Sequence, residues 1–185
     1  MEYIDQYFPL GDAPAQLVSV GKCFPVLLDN LYKGTPLRCI ETGTMRDLSV
    51  NAECGDGWST LYIARWMKIH PDCRFDSVDL DINASELAQM ALEAEGLRQC
   101  CIFHTQDSLK YLAAQTHADF CFLDSCDGLE HGLAEFKEAD RLGAKLIVMD
   151  DYDAKAQLAV EYARNILGWQ AKHWNRRYTI LQRPV

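Results

Sequence analysis

Five apolar runs in this chain each give way to acids. The run ending at Ile40 leads into Glu41, Thr42, Gly43 and Thr44, and the run Arg74 to Leu80 holds Asp79, with Asp81 just beyond it. Cys100 to His104 leads into Thr105, Gln106 and Asp107, and Ala118 to Leu123 into Asp124, Ser125 and Asp127. Ala144 to Met149 leads into Asp150, Asp151 and Asp153. An ionised carboxylate only accepts hydrogen bonds, so such groups suit a cation, an amine or a set of hydroxyls. One acid at such a point serves equally well as the cap of a following helix. Capping does not explain why acids double at the second, fourth and fifth ends, because like charges held close are costly unless a cation lies among them.

The same residues argue against a dinucleotide. A pyrophosphate site wants GxGxxG opening a helix, whereas ETGTMRDLSVNAECGDGWSTL has Gly43 and then only Gly55 and Gly57 much later. The surrounding acids would also repel phosphate. The ligand these ends favour is cationic, or neutral and rich in hydroxyls, and a sulfonium compound with an amino group and a ribose has that character. Gly43 would let the backbone approach such a ligand closely.

The elements that must carry these residues alternate. Trp58 to Ile69 reads as a helix, as do residues 84–96, with Asn83 and Glu86 as a capping-box-like pair and Gly96 closing the helix. A short helix is expected from Ser108. Another carries Leu129, Leu133 and Phe136 and stops at Gly143, and a last one is lined by Leu158, Tyr162 and Ile166 up to Gly168. Strand, helix, strand, helix predicts a parallel sheet covered on both faces, with ligands beyond the carboxyl ends of its strands. The end departs from this order: WQAKHW and RYTILQ, separated only by Asn175 and Arg176 counting from the second run's Arg177, read as an antiparallel hairpin. Ahead of the first strand, residues 12–33 read as helix, with Asp12 as cap, Pro14 just inside and Pro25 as a kink or a split.

Bulk properties narrow the partners. The 185 residues are 49% hydrophobic and 24% charged, with a formal net charge of −9, so one ordinary globular unit is expected. The negative charge disfavours nucleic acid, and no apolar run reaches the roughly 20 residues of a membrane span. MEYIDQYFPL carries acids and no positive n-region, does not read as a signal peptide, and leads us to expect a cytoplasmic protein. The eight cysteines then read as reduced thiols, with Cys39, Cys100, Cys101 and Cys121 as small core residues and no CxxC pair for zinc. Trp66, Trp169 and Trp174 are expected in the core or on a sheet face, and Trp58 beside the site.

With these residues in view, the chain resembles the Rossmann-like, class I S-adenosylmethionine-dependent methyltransferases. It is most similar to the small metal-dependent O-methyltransferases of the catechol, caffeoyl-CoA and macrocin types. GWSTL at Gly57 to Leu61, TQD at Thr105 to Asp107, FLDS at Phe122 to Ser125 and VMDDYD at Val148 to Asp153 carry the resemblance. It implies a three-layer α/β sandwich whose seven-stranded, mostly parallel sheet ends in an antiparallel hairpin. A helical segment over residues 1–36 is expected to pack on a methyltransferase domain over 37–185, of which the resemblance covers roughly 37–183.

By the same resemblance Glu41, Thr42 and Gly43, with Trp58 and Ser59, would line the methionine part of the cofactor, Ser59 at a helix N-terminus that favours its carboxylate. Asp79 would accept from the ribose hydroxyls. Thr105, Gln106 and Asp107 would face the adenine, with Asp124 beside the cofactor. Asp124, Asp150 and Asp151 would hold Mg2+ or another divalent cation, which would acidify and align an acceptor hydroxyl. Asp124 and Asp150 would thereby take part in catalysis. His131, at most about two helical turns beyond the fourth strand end, reads either as a base lying over the acceptor or as an exposed helix histidine. The sequence departs from the pattern at Met45 to Asp56, an insertion. Asp127 stands where the catechol type has a lysine base, and Asp151 where it has asparagine. The expected activity is O-methylation of a small-molecule hydroxyl, and a homodimer is one permitted assembly. The alternatives are a cofactor-binding relative without transferase activity and, against the missing GxGxxG, an NAD-dependent oxidoreductase.

Overall fold

Alternating apolar runs and helical patterns become one sheet with helices on both faces. The computed structural model describes residues 23–46, 58–174 and 178–184. The expected helix start at Asp12 and Pro14, most of the insertion, Gly55, Gly57 and the hairpin turn lie outside the described residues. In chain order the elements are α1 (Cys23–Leu31), β1 (Arg38–Thr42), α2 (Ser59–Ile69), β2 (Arg74–Asp79) and α3 (Ile82–Ala94). There follow β3 (Ile102–Thr105), α4 (Ser108–Ala113), β4 (Phe120–Leu123) and α5 (Leu129–Arg141). Last come β5 (Leu146–Met149), α6 (Gln157–Ile166), β6 (Gln170–Trp174) and β7 (Tyr178–Gln182).

The described residues form a seven-stranded sheet in the order β3-β2-β1-β4-β5-β7-β6. β1 to β5 run parallel, and β7 is antiparallel to both β5 and β6. Strand residues alternate between two apolar layers. Phe120 and Phe122 of β4 join one layer with α1, α2 and α3, whereas Cys121 and Leu123 join the other with α4, α5 and α6. A sheet buried on both faces needs apolar side chains at successive positions, and β4 and β5 supply them. Phe24 fixes α1 to the sheet, its ring 4.9 Å from that of Phe122 and 5.6 Å from that of Tyr178.

Two local expectations are corrected. Asp81, not Asn83, caps α3, because its carboxylate accepts from the Asn83 N–H at 2.9 Å and starts the helix two residues earlier. The buried face of α6 is Ala159, Val160 and Ala163, while Ile166 is 68% exposed. A π-helical turn, Tyr152–Ala156, precedes α6, and its Gln157 N–H bonds the Tyr152 carbonyl five residues back. That wider turn rotates the following helix relative to a continuous α pattern.

The strand order reverses between β1 and β4, which opens a crevice at their carboxyl ends. Gly43 sits there with φ 80°, and a Cβ on it would lie 2.2 Å from the Asp124 carbonyl oxygen. Both the left-handed backbone and the close approach require glycine. Gly43→Ala is expected to cost more than about 2 kcal/mol of stability, read from urea unfolding. An unchanged midpoint would show that the β1 and β4 ends separate freely.

Candidate functional site

Two clefts flank Gly43 on the carboxyl side of the sheet. One, of about 180 Å³, is lined by Gly43, Asp79, Leu80, Gln106, Asp107 and His131 among others. The other, of about 190 Å³, is lined by Thr44, Arg46, Ser59 and Lys155 with four acids, Asp124, Asp127, Asp150 and Asp151. Of the strand-end acids, Asp79 and Asp107 line the first cleft and Asp124, Asp127, Asp150 and Asp151 the second, while Glu41, Asp81 and Asp153 line neither.

Glu41 joins the strand ends beneath these clefts. It is fully buried, and Ser59 Oγ donates to its Oε1 at 2.5 Å while Thr60 Oγ1 and Ser77 Oγ each donate to Oε2 at 2.7 Å. Thr60 Oγ1 also accepts from Met45 N–H at 3.1 Å and touches Thr44 Oγ1 at 3.1 Å. Burial raises the Glu41 pKa from 4.5 to about 7; the three hydroxyls pull it back and the charge of Asp124 adds to the rise. Thr42 is buried, and its carbonyl accepts from Asp124 N–H at 2.8 Å. Trp58, in left-handed conformation at the α2 cap, packs against the α1–α3 apolar layer.

Asp79 ties two loops to the first cleft, accepting from Thr44 N–H at 2.9 Å and Asp81 N–H at 2.8 Å. Gln106 N–H donates to the Asp79 carbonyl, and Asp107 caps α4 by accepting from Lys110 N–H at 2.9 Å. Thr105 is exposed at the end of β3 and is not among the lining residues. His131 belongs to this first cleft: its Nε2 lies 3.0 Å from Ser125 Oγ, 3.2 Å from Ser108 Oγ and 3.6 Å from Glu135 Oε1. The Glu135 carboxylate beside it raises the His131 pKa above its ordinary value. His131 does not line the cleft of the four acids.

In the second cleft, Asp124, Asp150 and Asp151 surround an ammonium. Lys155 is 7% exposed; its Nζ donates to Asp124 Oδ1 and lies 3.5 Å from Asp127 Oδ1. Burial lowers its pKa, but the charges of Asp124, Asp150 and Asp151 more than offset this, and the group stays protonated. Asp150 is 1% exposed and accepts from Asp151 N–H at 2.9 Å. Among the described residues no three His, Cys, Asp or Glu side chains converge in a way that could hold a metal ion. Sequence reasoning passed over Lys155 and Arg46, whose Nη2 donates to the Ser125 carbonyl at 3.3 Å and whose Nε lies 4.0 Å from Asp79 Oδ2. The signal for Lys155 was available: a lysine one turn after a doubled acid, at the start of a helix whose dipole disfavours it.

No protein-family model matches the chain, and no curated protein matches it. Solved structures do. A methyltransferase from Geobacter sulfurreducens matches with a TM-score of 0.66 and 16% identity, over 100% of this chain and 94% of that one. The O-methyltransferase TomG from Streptomyces achromogenes, solved in complex with SAM, matches at 0.62 and 19% identity, over 97% and 86%. An O-methyltransferase from Bacillus cereus, in complex with SAH, matches at 0.60 and 16%, over 98% and 96%. The chain has the Rossmann-like methyltransferase fold. The crevice at the β1–β4 reversal is flanked by both clefts, with Gly43 lining the first and its neighbour Thr44 the second.

Because the folded-state pKa of Glu41 lies above its unfolded value, its contribution to stability is full below about pH 4.5 and disappears as pH rises through about 7. Glu41→Gln is expected to remove this slope. Between about pH 5 and pH 8, wild type should lose roughly 2–3 kcal/mol relative to the variant, read from urea unfolding at each pH. Parallel curves would show that Glu41 is ionised throughout.

Proposed function

We infer that this protein transfers the methyl group of S-adenosylmethionine to a hydroxyl oxygen of a small molecule, with the cytoplasm as its setting. One observation carries the reading: two clefts open beside the Gly43–Thr44 turn, at the strand reversal of a methyltransferase fold, one mainly apolar with polar groups suited to an adenosine and the other polar and rich in acids. Seven described cysteines are free thiols, which suits a reducing compartment. Among the described residues no helix is long and apolar enough to cross a membrane.

Asp79 takes the ribose hydroxyls, since its carboxylate has lone pairs beyond the two backbone N–H groups that orient it. Gln106 and Asp107 meet the adenine side, with Leu80 offering an apolar face 74% exposed before binding. The N-terminus of α2 suits the cofactor's carboxylate, while the Ser59 hydroxyl itself orients Glu41. Glu41, fully buried and outside the lining of both clefts, would act from beneath on the ammonium and sulfonium end of the donor. The methyl donor is already activated, so the remaining work is alignment of the acceptor oxygen and removal of its proton.

The divalent cation of the metal-dependent types meets an obstacle in these residues. Asp124, Asp150 and Asp151 are oxygen donors of the right kind. The Lys155 ammonium, however, already bonds Asp124, and an ammonium and a divalent ion exclude each other by charge. As the chain stands, the residues do not fit the metal, and no step here runs through one.

Calorimetry checks the cofactor. S-adenosylmethionine should bind and NAD should not, and Asp79→Asn should weaken the binding about tenfold, the loss of one charge-assisted hydrogen bond of roughly 1.4 kcal/mol. Absence of heat with S-adenosylmethionine, or equal heat with NAD, would sink the reading.

A further inference from the structure

We propose that Lys155 is this protein's built-in cation at the acceptor site: its ammonium holds the position a divalent metal would need. The inference rests on the methyl-transfer reading for its chemistry, but its geometry stands apart from it. Lys155 is a lysine drawn almost wholly out of solvent, 7% exposed, with Asp124, Asp127, Asp150 and Asp151 lining the same cleft. The backbone beneath it is specialised. Asp151 has a left-handed φ of 42°, and the π-helical turn Tyr152–Ala156 follows directly. Such turns cost regular helix hydrogen bonding and recur at functional sites. On the far side α5 presses against this turn so closely that a Cβ on Gly132 would lie 2.3 Å from the Lys155 carbonyl oxygen. Two separate devices, a wide turn and a glycine contact, therefore fix where Lys155 starts and send its side chain among the acids.

The chemistry follows from charge. Four carboxylates in one cleft repel one another, and a cation among them removes that cost. A divalent ion does so with two charges and open coordination positions. An ammonium does so with one charge and three N–H donors, and Lys155 donates one of them to Asp124. A remaining donor can take the acceptor's hydroxyl oxygen and stabilise negative charge as it develops there. A lone pair of that oxygen forms the new O–C bond as the C–S bond breaks, and the C–S electron pair stays on sulfur as a neutral thioether. The hydroxyl proton passes to Asp127, whose side chain is 77% exposed and 3.5 Å from Lys155 Nζ. Transfer on this route needs no metal.

Manganese titration followed by electron paramagnetic resonance tests the assignment. The proteins are wild type, Lys155→Met and Lys155→Met with Asp150→Asn, with S-adenosylmethionine calorimetry on each to report a folded cofactor site. Wild type should leave the free Mn2+ signal unchanged at equimolar metal. Lys155→Met, which keeps the length of the side chain and loses the charge, should bind Mn2+ roughly tenfold or more tightly than wild type and take up one equivalent. The added Asp150→Asn should return the signal to that of wild type. Stoichiometric Mn2+ binding by wild type would overturn the proposal, as would no Mn2+ uptake by a Lys155→Met protein that still binds S-adenosylmethionine. Should Lys155→Met not fold, Lys155→Gln carries the same test. If no protein binds S-adenosylmethionine, the methyl-transfer reading fails, while the Mn2+ titration, with fold checked by circular dichroism, still decides the role of Lys155.

Discussion

The contact between Gly43 and the Asp124 carbonyl governs the geometry of everything above the sheet. β1 is an interior strand, paired with β2 on one side and β4 on the other, and its end must be tied to both. Gly43 N–H bonds the Val78 carbonyl, Thr44 N–H bonds Asp79, and Asp124 N–H bonds the Thr42 carbonyl. Only a residue without Cβ can turn left-handed here and pass the β4 end at that distance. The result is a low wall with one cleft on each side. A wider separation of the β1 and β4 ends would merge the clefts and pull Asp79 and Asp124 out of register with each other.

The sheet also sorts its acids by how they are neutralised. Asp76 and Asp119, away from the crevice, are answered by close partners: Asp76 by the Arg74 guanidinium and the His104 ring nitrogen, each at 2.8 Å, and Asp119 by the Lys145 ammonium at 2.8 Å. Burial opposes ionisation in both, but these partners win, so both carboxyls sit below their ordinary pKa. Glu41 is buried more deeply and has only hydroxyls, so burial wins and its pKa goes up. A carboxyl held by neutral donors remains responsive to an arriving positive charge, whereas one already paired does not. This difference separates acids that bind the sheet together from an acid poised for a ligand.

Much of this was legible in the sequence, because alternation of short apolar runs with helical patterns admits few architectures and the acids at strand ends mark the open side of a parallel sheet. The C-terminal antiparallel pair was equally visible, since two strand-like runs so close together cannot cross over. What escaped depended on local departures. The face of α6 and the inward direction of Lys155 both follow from the π-helical turn, which a 3.6-residue period does not contain. His131 was placed over the acceptor by its distance from the β4 end, yet its ring turns to Ser108 and Ser125 on the other side of Gly43. Asp81 took the cap from Asn83 because the strand ends one residue earlier than its apolar run.

Under the proposed reading, charge would tie the two clefts into one cycle. S-adenosylmethionine carries a sulfonium, and the thioether product does not. A carboxylate about 4 Å from a positive charge contributes about 4 kcal/mol at an effective dielectric constant near 20, before desolvation is subtracted. Under the proposed methyl transfer, acids around the crevice would hold the charged donor more firmly than the neutral product, and transfer would itself weaken the grip on what must leave. A fixed divalent cation a few ångströms from the sulfonium would oppose donor binding twice as strongly as a single ammonium. Under the proposed reading Lys155, bonded to Asp124, would limit that opposition to one charge. In a chain with a net charge of −9, one buried ammonium among four acids leaves the crevice negative, which is the sign that a cationic donor requires.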